Sequence, residues 1–433
     1  MARRNLSLLL CTLGFALLCW SRAEKNPYAR YLSESFTAID DGALERVPAE
    51  ELFDTAVTSM VATLHKRGDE NSQFIPAEQA EPFLSEMRQE FGGIGVRIAW
   101  QGDPPQLTVM GLPEPGSPAF DAKIQPGDHI VAIDETPMSD IVAEGMEKPL
   151  LRLRGAPGST VRLTLEREGA PQPLNISLVR EIIVVHSVIG ERRRADGSWD
   201  FFLPDAPGIA YVRLTSFGDK TVGELTTVLA QLSHEGMQSL VLDLRDNAGG
   251  VLDAAVGVCD LFLKEDAPIV EIRGRGGKLL ERFTSSGKGK YTQLPIAVLV
   301  NGDSASASEI VAACLQDNQR AVVIGERSFG KGTVQHAILI EPGRTRKSWL
   351  KLTSASYWRP SGANIHRTSD APANGAWGVS PNDGFEIELD DEQQAALRKA
   401  RFERDVDVNK DAKPIDDPAL ARAVEYLQQL PQR

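Results

Sequence analysis

The chain has 433 residues, enough for two or three domains, because one hydrophobic core rarely extends beyond about 250–300 residues. Hydrophobic residues make up 42% and charged residues 25%, a globular composition, and the formal net charge of -13 argues against nucleic acid or an anionic membrane as the main partner. Of the four cysteines, only Cys259 and Cys314 lie beyond the predicted signal segment, so no disulfide framework is expected. Cys259 and Cys314 each lie in an apolar helical pattern and are expected to be buried free thiols, with a disulfide between them as the alternative.

The first 23 residues are typical of a secretory signal. Arg3 and Arg4 precede an apolar run over residues 6–20, and the small residues Ser21 and Ala23 suit cleavage after residue 23. The run is shorter than the roughly 20 apolar residues that span a bilayer. We therefore expect an exported protein, periplasmic or extracytoplasmic, with an uncleaved membrane anchor as the alternative.

Residues 24–90 are predicted to form a helical segment. Apolar residues recur at three- and four-residue spacing between Glu51 and Leu64, and a second helical pattern follows over residues 77–90. The next region, residues 91–181, changes to short runs of β-forming residues, such as Ile94–Trp100, separated by Pro and Gly turns. This pattern predicts a compact β-rich domain.

Residues 182–385 are predicted to form an α/β layer, because apolar strands alternate there with helical stretches. The predicted strands are Ile209–Leu214, Leu240–Leu244, Ile296–Val300 and Ala321–Ile324, and the predicted helices lie near 221–235, 252–264 and 306–317. The basic run Glu191–Arg194 is interpreted as a solvated turn. The charged tail, residues 386–433, is predicted to be helical over 391–403 and 417–430 and to offer a dimer or partner surface.

Two strand-end loops in this layer are candidates for chemistry, because ligands of open α/β sheets gather at the carboxyl ends of the strands. The first loop, Arg245–Gly250, ends in Gly249 and Gly250, and paired glycines allow backbone N–H groups to approach a substrate oxygen. An oxyanion hole and a simple tight turn are equally compatible with this loop.

The second loop delivers Ser306 to the start of a helix. A serine followed three residues later by Glu309 fits a capping box, so a cap is the alternative to a nucleophile. Lys331 follows the next strand, between Gly330 and Gly332. The reference pKa of a lysine, about 10.4, must fall to roughly 7–8 for general-base catalysis, and burial lowers it.

Neighbouring groups could complete such a site. Gln335 lies four residues beyond the lysine and is a candidate to orient its amine, and the backbone N–H of Ala307 is a candidate oxyanion donor. Ser304 is a rival nucleophile, but no histidine lies in a comparable glycine-framed loop. Asp303 and Glu309 are interpreted as loop and cap residues.

Phosphate-binding and metal-dependent chemistry are not indicated. Residues 325–331 begin like a phosphate-binding P-loop, but Gly332 stands where Ser or Thr is required, and a strand-like run follows instead of a helix. No paired Cys or His motif suggests a metal. We predict no cofactor and no metal.

Taken together, these motifs resemble those of the carboxy-terminal processing proteases, also called tail-specific proteases. The similarity is carried by Ser304–Ile310, Gln316–Asp317, Gly325–Gln335 and Arg245–Gly250. It implies a crotonase/ClpP-like α/β core over residues 182–385, with Ser306 as nucleophile, Lys331 as general base and Gln335 as third member. Ala307 and one glycine of the Gly249–Gly250 pair would form the oxyanion hole.

The same resemblance implies an inserted PDZ domain over residues 91–181. Phe91–Val96 resembles the carboxylate-binding loop of PDZ domains, with Gly93, Ile94, Gly95 and Val96 as its peptide-binding residues. The implied function is an exported serine endopeptidase that binds protein carboxy termini and cleaves nearby. The alternative is a catalytically silent PDZ adaptor with a protease-like core.

Overall fold

The computed structural model describes residues 26–194, 196–340, 346–368, 371–372, 375–406 and 415–431. The predicted signal segment, residues 1–23, lies outside them. The α-helices are α1 Pro27–Gly42, α2 Ala49–His65, α3 Ala77–Arg88, α4 Pro118–Asp121, α5 Met138–Glu144, α6 Lys148–Leu153, α7 Thr221–His234, α8 Leu252–Asp260, α9 Ala307–Asp317, α10 Asp391–Val406 and α11 Pro418–Gln429. None of these described helices is long and apolar enough to cross a membrane.

The strands fall into three larger sheets and two short pairs. Their bounds are β1 Gln73–Ile75, β2 Glu90–Gly93, β3 Ile98–Gln101, β4 Gln106–Val109, β5 His129–Ile133, β6 Thr136–Pro137, β7 Thr160–Glu166, β8 Leu174–Val179, β9 Glu181–Val184, β10 Val188–Ile189, β11 Arg192–Arg193, β12 Trp199–Asp200, β13 Ile209–Leu214, β14 Ser239–Asp243, β15 Pro268–Gly274, β16 Leu279–Thr284, β17 Ile296–Val300, β18 Val322–Gly325, β19 Thr333–Ile340 and β20 Ser348–Trp358.

The sheet that carries the site has the strand order β10-β13-β14-β17-β18, and β13, β14, β17 and β18 are parallel. Every residue of β13, β14 and β17 is buried, which explains why these strands are continuous apolar runs rather than alternating ones. The predicted α/β alternation is confirmed, and β13 and β17 have their predicted bounds. Cys259 in α8 and Cys314 in α9 are buried free thiols, as predicted.

Helix α11 of the tail covers one face of this sheet. Its residues Ala419, Ala423 and Leu427 are buried in one cluster with Val241 and Leu299 of the strands. Because the apolar face of α11 is used inside the chain, this helix is part of the core. A dimer or partner surface elsewhere on the tail stays a prediction.

The amino-terminal segment is also integrated into the core. Strand β1 pairs antiparallel with β20 in a second sheet, which also contains β15, β16 and β19. Val57 and Val61 of α2 pack against Phe74 of β1. Residues 24–90 are therefore not only helical, since they contribute an edge strand whose partner lies almost 280 residues later in the chain.

The β-rich domain has the strand order β3-β4-β5-β7-β8 and its own hydrophobic core. The chain enters and leaves it through the antiparallel pair β2 and β9. The predicted strand Ile94–Trp100 is wrong over its first half. Gly95 has φ +80°, and the carbonyls of Ile94 and Gly95 accept from Ala119 and Glu114 instead of a strand neighbour.

The basic run Glu191–Arg194 is not the solvated turn that its charge suggested. Glu191 is largely buried and pairs with Arg404 of α10, while Arg193 donates to Glu114 of the β-rich domain at 3.0 Å. The guanidinium of Arg193 also stacks on Trp199. This run therefore links helix α10, the β-rich domain and strand β12.

Candidate active site

Three loops meet at the carboxyl edge of the parallel sheet. They follow the adjacent strands β14, β17 and β18. The N–H of Ala305 in the second loop donates to the carbonyl of Asn247 in the first at 3.0 Å, and the N–H of Phe329 in the third donates to the carbonyl of Ser304 at 3.0 Å. The loops that carry the predicted nucleophile, base and oxyanion donors are thus joined by backbone hydrogen bonds.

Ser306 occupies a strained position at the start of α9. Its backbone has φ +56° and ψ -111°, outside the regions that non-glycine residues normally adopt. Such strain persists only where the surrounding structure enforces it, and it concentrates at functional sites. Ser306 is partly exposed, whereas Ser304 and Ser308 are buried, and their hydroxyls donate to the carbonyls of Leu244 and Asn247. The rival Ser304 is therefore committed to holding the loop.

Gly249 of the first loop lies against Ser306. A Cβ placed on Gly249 would be 2.8 Å from the Cβ of Ser306 and 2.9 Å from the backbone nitrogen of Ala307. The N–H of Gly249 donates to Oδ1 of Asn247 at 2.9 Å. Within the described part of the chain, the N–H groups of Gly250 and Ala307 have no acceptor. Gly249 therefore lies against the serine, and the N–H groups of Gly250 and Ala307, the residues that follow Gly249 and Ser306, are unpaired.

Sequence reasoning missed Asn247, which holds this loop in place. Its side-chain nitrogen donates to the carbonyl of Leu214 at 2.8 Å, and its side-chain oxygen accepts from Gly249. Its backbone carbonyl accepts from both Ala305 and Ser308. The only available signal was an asparagine in a glycine-rich turn, which is common in turns of every kind.

Lys331 lies in the third loop, in a turn that glycines make possible. A Cβ on Gly332 would be 2.1 Å from the backbone nitrogen of His366, so only glycine permits this close approach. The pKa of Lys331 is lowered, first by burial and second by the positive charge of Lys351, while the charge of Glu309 opposes the shift. The amine is therefore shifted toward the neutral form that a general base requires.

Glu309 connects the serine to the lysine. One carboxylate oxygen accepts the backbone N–H groups of Ser306 and Lys331, both at 2.8 Å. The other accepts from the hydroxyl of Ser328 and the N–H of Gly330, both at 2.6 Å. The side chain is fully buried, and burial raises its pKa, although these four hydrogen bonds oppose the shift. The capping role predicted for Glu309 is real, but the same carboxylate also fixes the lysine turn.

Gln335 does not bond to the amine of Lys331 in this structure. Its side-chain nitrogen donates to the hydroxyl of Thr333 at 2.8 Å and to that of Thr353 at 3.4 Å. A bulge between Val334 and Gln335 interrupts the pairing of β19 with β20. The two threonines therefore hold the amide nitrogen of Gln335.

The predicted carboxylate-binding loop connects β2 to β3. Gly93 ends β2, and the N–H groups of Ile94, Gly95 and Val96 find no acceptor among the described residues. A Cβ on Gly95 would lie 2.2 Å from the Cβ of Ser117, so the loop packs closely against the following turn. Consecutive unpaired N–H groups can bind an anion such as a carboxylate.

No group of three or more His, Cys, Asp or Glu side chains is placed to hold a metal ion in the described ranges. The arrangement supports acid–base chemistry that uses a hydroxyl, an amine and backbone donors.

This chain is similar in sequence to known proteins over most of its length. The sequence profile of peptidase family S41 matches residues 208–382, and that of the PDZ domain matches residues 92–178. A carboxy-terminal-processing protease of Bartonella bacilliformis is 35% identical over 75% of this chain and 69% of its own length. A carboxyl-terminal-processing protease of Synechocystis is 33% identical over 75% and 70%. A solved photosystem II D1 C-terminal processing protease is 26% identical, with a TM-score of 0.47 over 91% of this chain and 92% of its own.

Proposed function

Because this chain belongs to the carboxy-terminal-processing proteases of peptidase family S41 and is a serine-type peptidase with a PDZ domain, we propose that it is an exported endopeptidase with a Ser306–Lys331 dyad. The observation that carries the mechanism is the buried carboxylate of Glu309, which binds the backbone of both residues. Export to the periplasm or another extracytoplasmic space rests on the signal-like residues 1–23.

In this mechanism the neutral amine of Lys331 takes the proton of the Ser306 hydroxyl as its oxygen attacks the scissile carbonyl. The N–H groups of Ala307 and Gly250 stabilise the resulting oxyanion, because both donors are unpaired while that of Gly249 is engaged. Lys331 then gives the proton to the leaving amine. Water hydrolyses the acyl-enzyme in a second step with the same base. The amide oxygen of Gln335 accepts a hydrogen bond from the lysine when it is charged.

Substrate recognition is assigned to the PDZ domain. The unpaired N–H groups of Ile94, Gly95 and Val96 would bind the terminal carboxylate of a protein, while the peptide extends the sheet edge. This mode accepts many sequences, because the backbone and the terminal charge supply much of the binding energy.

The first test compares two versions of one unfolded substrate with an apolar carboxy terminus, one with a free carboxylate and one amidated. We expect endoproteolytic cleavage of both, with kcat/KM at least about 10-fold higher for the free carboxylate, since one lost charge-assisted contact costs roughly 1.5–3 kcal/mol. Binding of the free-carboxylate peptide without cleavage would instead support the silent adaptor. Equal cleavage of both would exclude recognition of the terminal carboxylate.

The dependence of kcat/KM on pH should follow the pKa of Lys331. The base must be neutral, so activity rises with pH through this pKa, which lies below that of an ordinary lysine. Replacing Lys351 by Met removes a positive charge that lowers this pKa, so the acid limb should move to higher pH. Lys290→Met, a surface control, should leave it in place. If the acid limb of the kcat/KM profile does not move in Lys351→Met, Lys331 is excluded as the titrating base.

A further inference from the structure

The amino-terminal segment contacts the residues that hold Gln335. Residues 69–72 directly precede β1, and the pairing of β1 with β20 places them beside the middle of β20. Thr333 and Gln335 lie two residues apart in β19, and Thr353 is the direct partner of Gln335 in β20. These three side chains therefore share one face of the sheet.

Two side chains of this segment bond to the two threonines that hold Gln335. The hydroxyl of Thr353 donates to Oδ1 of Asp69 at 2.8 Å. The amide nitrogen of Asn71 donates to the hydroxyl oxygen of Thr333 at 3.4 Å. Residues far from β19 in the sequence therefore contact both hydrogen-bond partners of the Gln335 amide.

Asp69 is held in place by its own segment. Its Oδ1 accepts the N–H groups of Asn71 at 3.1 Å and Ser72 at 3.2 Å, and its Oδ2 accepts the hydroxyl of Ser72 at 2.6 Å. Burial raises the pKa of Asp69, but the hydrogen bonds from Ser72, Thr353 and the backbone outweigh burial and hold this pKa below its usual value. The side chain is therefore a carboxylate at neutral pH.

The charge of Asp69 determines where the hydroxyl hydrogen of Thr353 points. A carboxylate can only accept, and a threonine hydroxyl has one hydrogen. Because that hydrogen is directed at Asp69, the oxygen of Thr353 can only accept from Gln335. The nitrogen end of the amide is thereby selected, and it donates to Thr353 at 3.4 Å and to Thr333 at 2.8 Å.

Thr333 alone would not make this selection. Its hydroxyl can rotate to accept from an amide nitrogen or to donate to an amide oxygen, and the contact from Asn71 does not fix where its hydrogen points. In the proposed mechanism the amide oxygen of Gln335 accepts from the charged amine of Lys331. A flipped amide would present N–H groups to that amine instead.

We propose that Asp69 and Thr353 are positioning residues of the catalytic site. The carboxylate of Asp69 orients the hydroxyl of Thr353, which in turn holds Gln335 with its amide oxygen directed to Lys331. Neither residue touches the reacting atoms. This inference rests on the proposed function and adds the amino-terminal segment to the groups on which turnover depends.

The experiment compares Thr353→Val with Thr353→Ser. Valine keeps the branched shape that suits a strand but removes the hydroxyl, whereas serine keeps the hydroxyl. Ser354→Ala is the matched control, because it removes the neighbouring exposed hydroxyl of β20, which bonds to His336 and not to Gln335. Each variant is measured by steady-state cleavage of the free-carboxylate substrate and by a thermal melt. Thr353→Val is also made in a Gln335→Ala background.

We expect Thr353→Val to lose roughly 10-fold of kcat at nearly unchanged KM, because a misplaced catalytic group slows the chemical step. Thr353→Ser and Ser354→Ala should keep kcat within about 2-fold of wild type. In the Gln335→Ala background, Thr353→Val should cost less than about 2-fold, because residues that act as one unit are not additive. Asp69→Ala should show the same pattern in both backgrounds, which covers the case in which Thr353→Val does not fold.

Each failure has a distinct signature. A wild-type kcat in Thr353→Val, or an equal loss with and without Gln335, would overturn the inference and leave the proposed function intact. A wild-type kcat in Gln335→Ala would overturn the inference and remove Gln335 from the mechanism, while the Ser306–Lys331 dyad stands. A wild-type protein that does not cleave the substrate would overturn the proposed function and this inference together.

Discussion

Ser306→Ala is expected to lose on the order of 10⁴- to 10⁶-fold of kcat, because loss of a nucleophile removes the covalent pathway and not merely one contact. Its folding stability should be unchanged or slightly higher, since active-site residues are often selected at some cost in stability. The measurement is steady-state cleavage of the free-carboxylate substrate together with a thermal melt.

Ser304→Ala is the matched control and should show the opposite pattern. Its hydroxyl donates to the carbonyl of Leu244 and accepts from the N–H of Asn301, so its removal should cost about 1–3 kcal/mol of stability. The enzyme should remain active below its lowered melting temperature. Loss of activity in Ser304→Ala with full activity in Ser306→Ala would identify Ser304 as the nucleophile instead.

Glu309→Gln is expected to impair both folding and catalysis. The amide nitrogen of Gln must replace one of two oxygens, each of which accepts two hydrogen bonds. At least one N–H of Ser306, Lys331 or Gly330 then faces a donor. We expect a loss of about 2–5 kcal/mol of stability from buried unpaired groups and roughly 10²-fold in kcat from misplacement of the dyad.

The pH profile separates this positioning role from a purely structural one. The charge of Glu309 raises the pKa of Lys331, so its removal should move the acid limb of kcat/KM to lower pH. Glu392→Gln is a matched control in the first turn of α10, where the side chain is exposed, and it should change neither stability nor the pH profile. A wild-type kcat in Glu309→Gln would show that the carboxylate has no role in the mechanism.

The sequence predicted the fold where local patterns decide it. The apolar runs of β13 and β17 needed only their length and composition, and helices α10 and α11 were both predicted in the charged tail. The pairing of β1 with β20 and the docking of α11 on the sheet could not be read in this way, because they depend on contacts between distant segments. The predicted strand Ile94–Trp100 failed over its first half, because the β-forming residues Ile94 and Val96 lie in a loop.

The sequence likewise predicted only part of the candidate site. Ser306 and Lys331 stand in distinctive motifs at strand ends, and the parallel order of β14, β17 and β18 brings their loops together. The second role of Glu309 was hidden, because a capping box explains the residue fully by itself. The proposal of Gly250 rather than Gly249 as oxyanion donor rests on the hydrogen bond from Gly249 to Asn247, which the sequence does not reveal.

The dyad is best examined by trapping its covalent intermediate. Wild type, Ser304→Ala and Lys331→Met would each react with an activated ester over a range of pH, and the acylated residue would be located by mass spectrometry of peptide fragments. We predict one acyl group per chain, on Ser306, in the wild type and in Ser304→Ala. Its formation should accelerate as Lys331 loses its proton and be abolished in Lys331→Met. An acyl group on another residue, or undiminished acylation of Ser306 without Lys331, would overturn the Ser306–Lys331 mechanism.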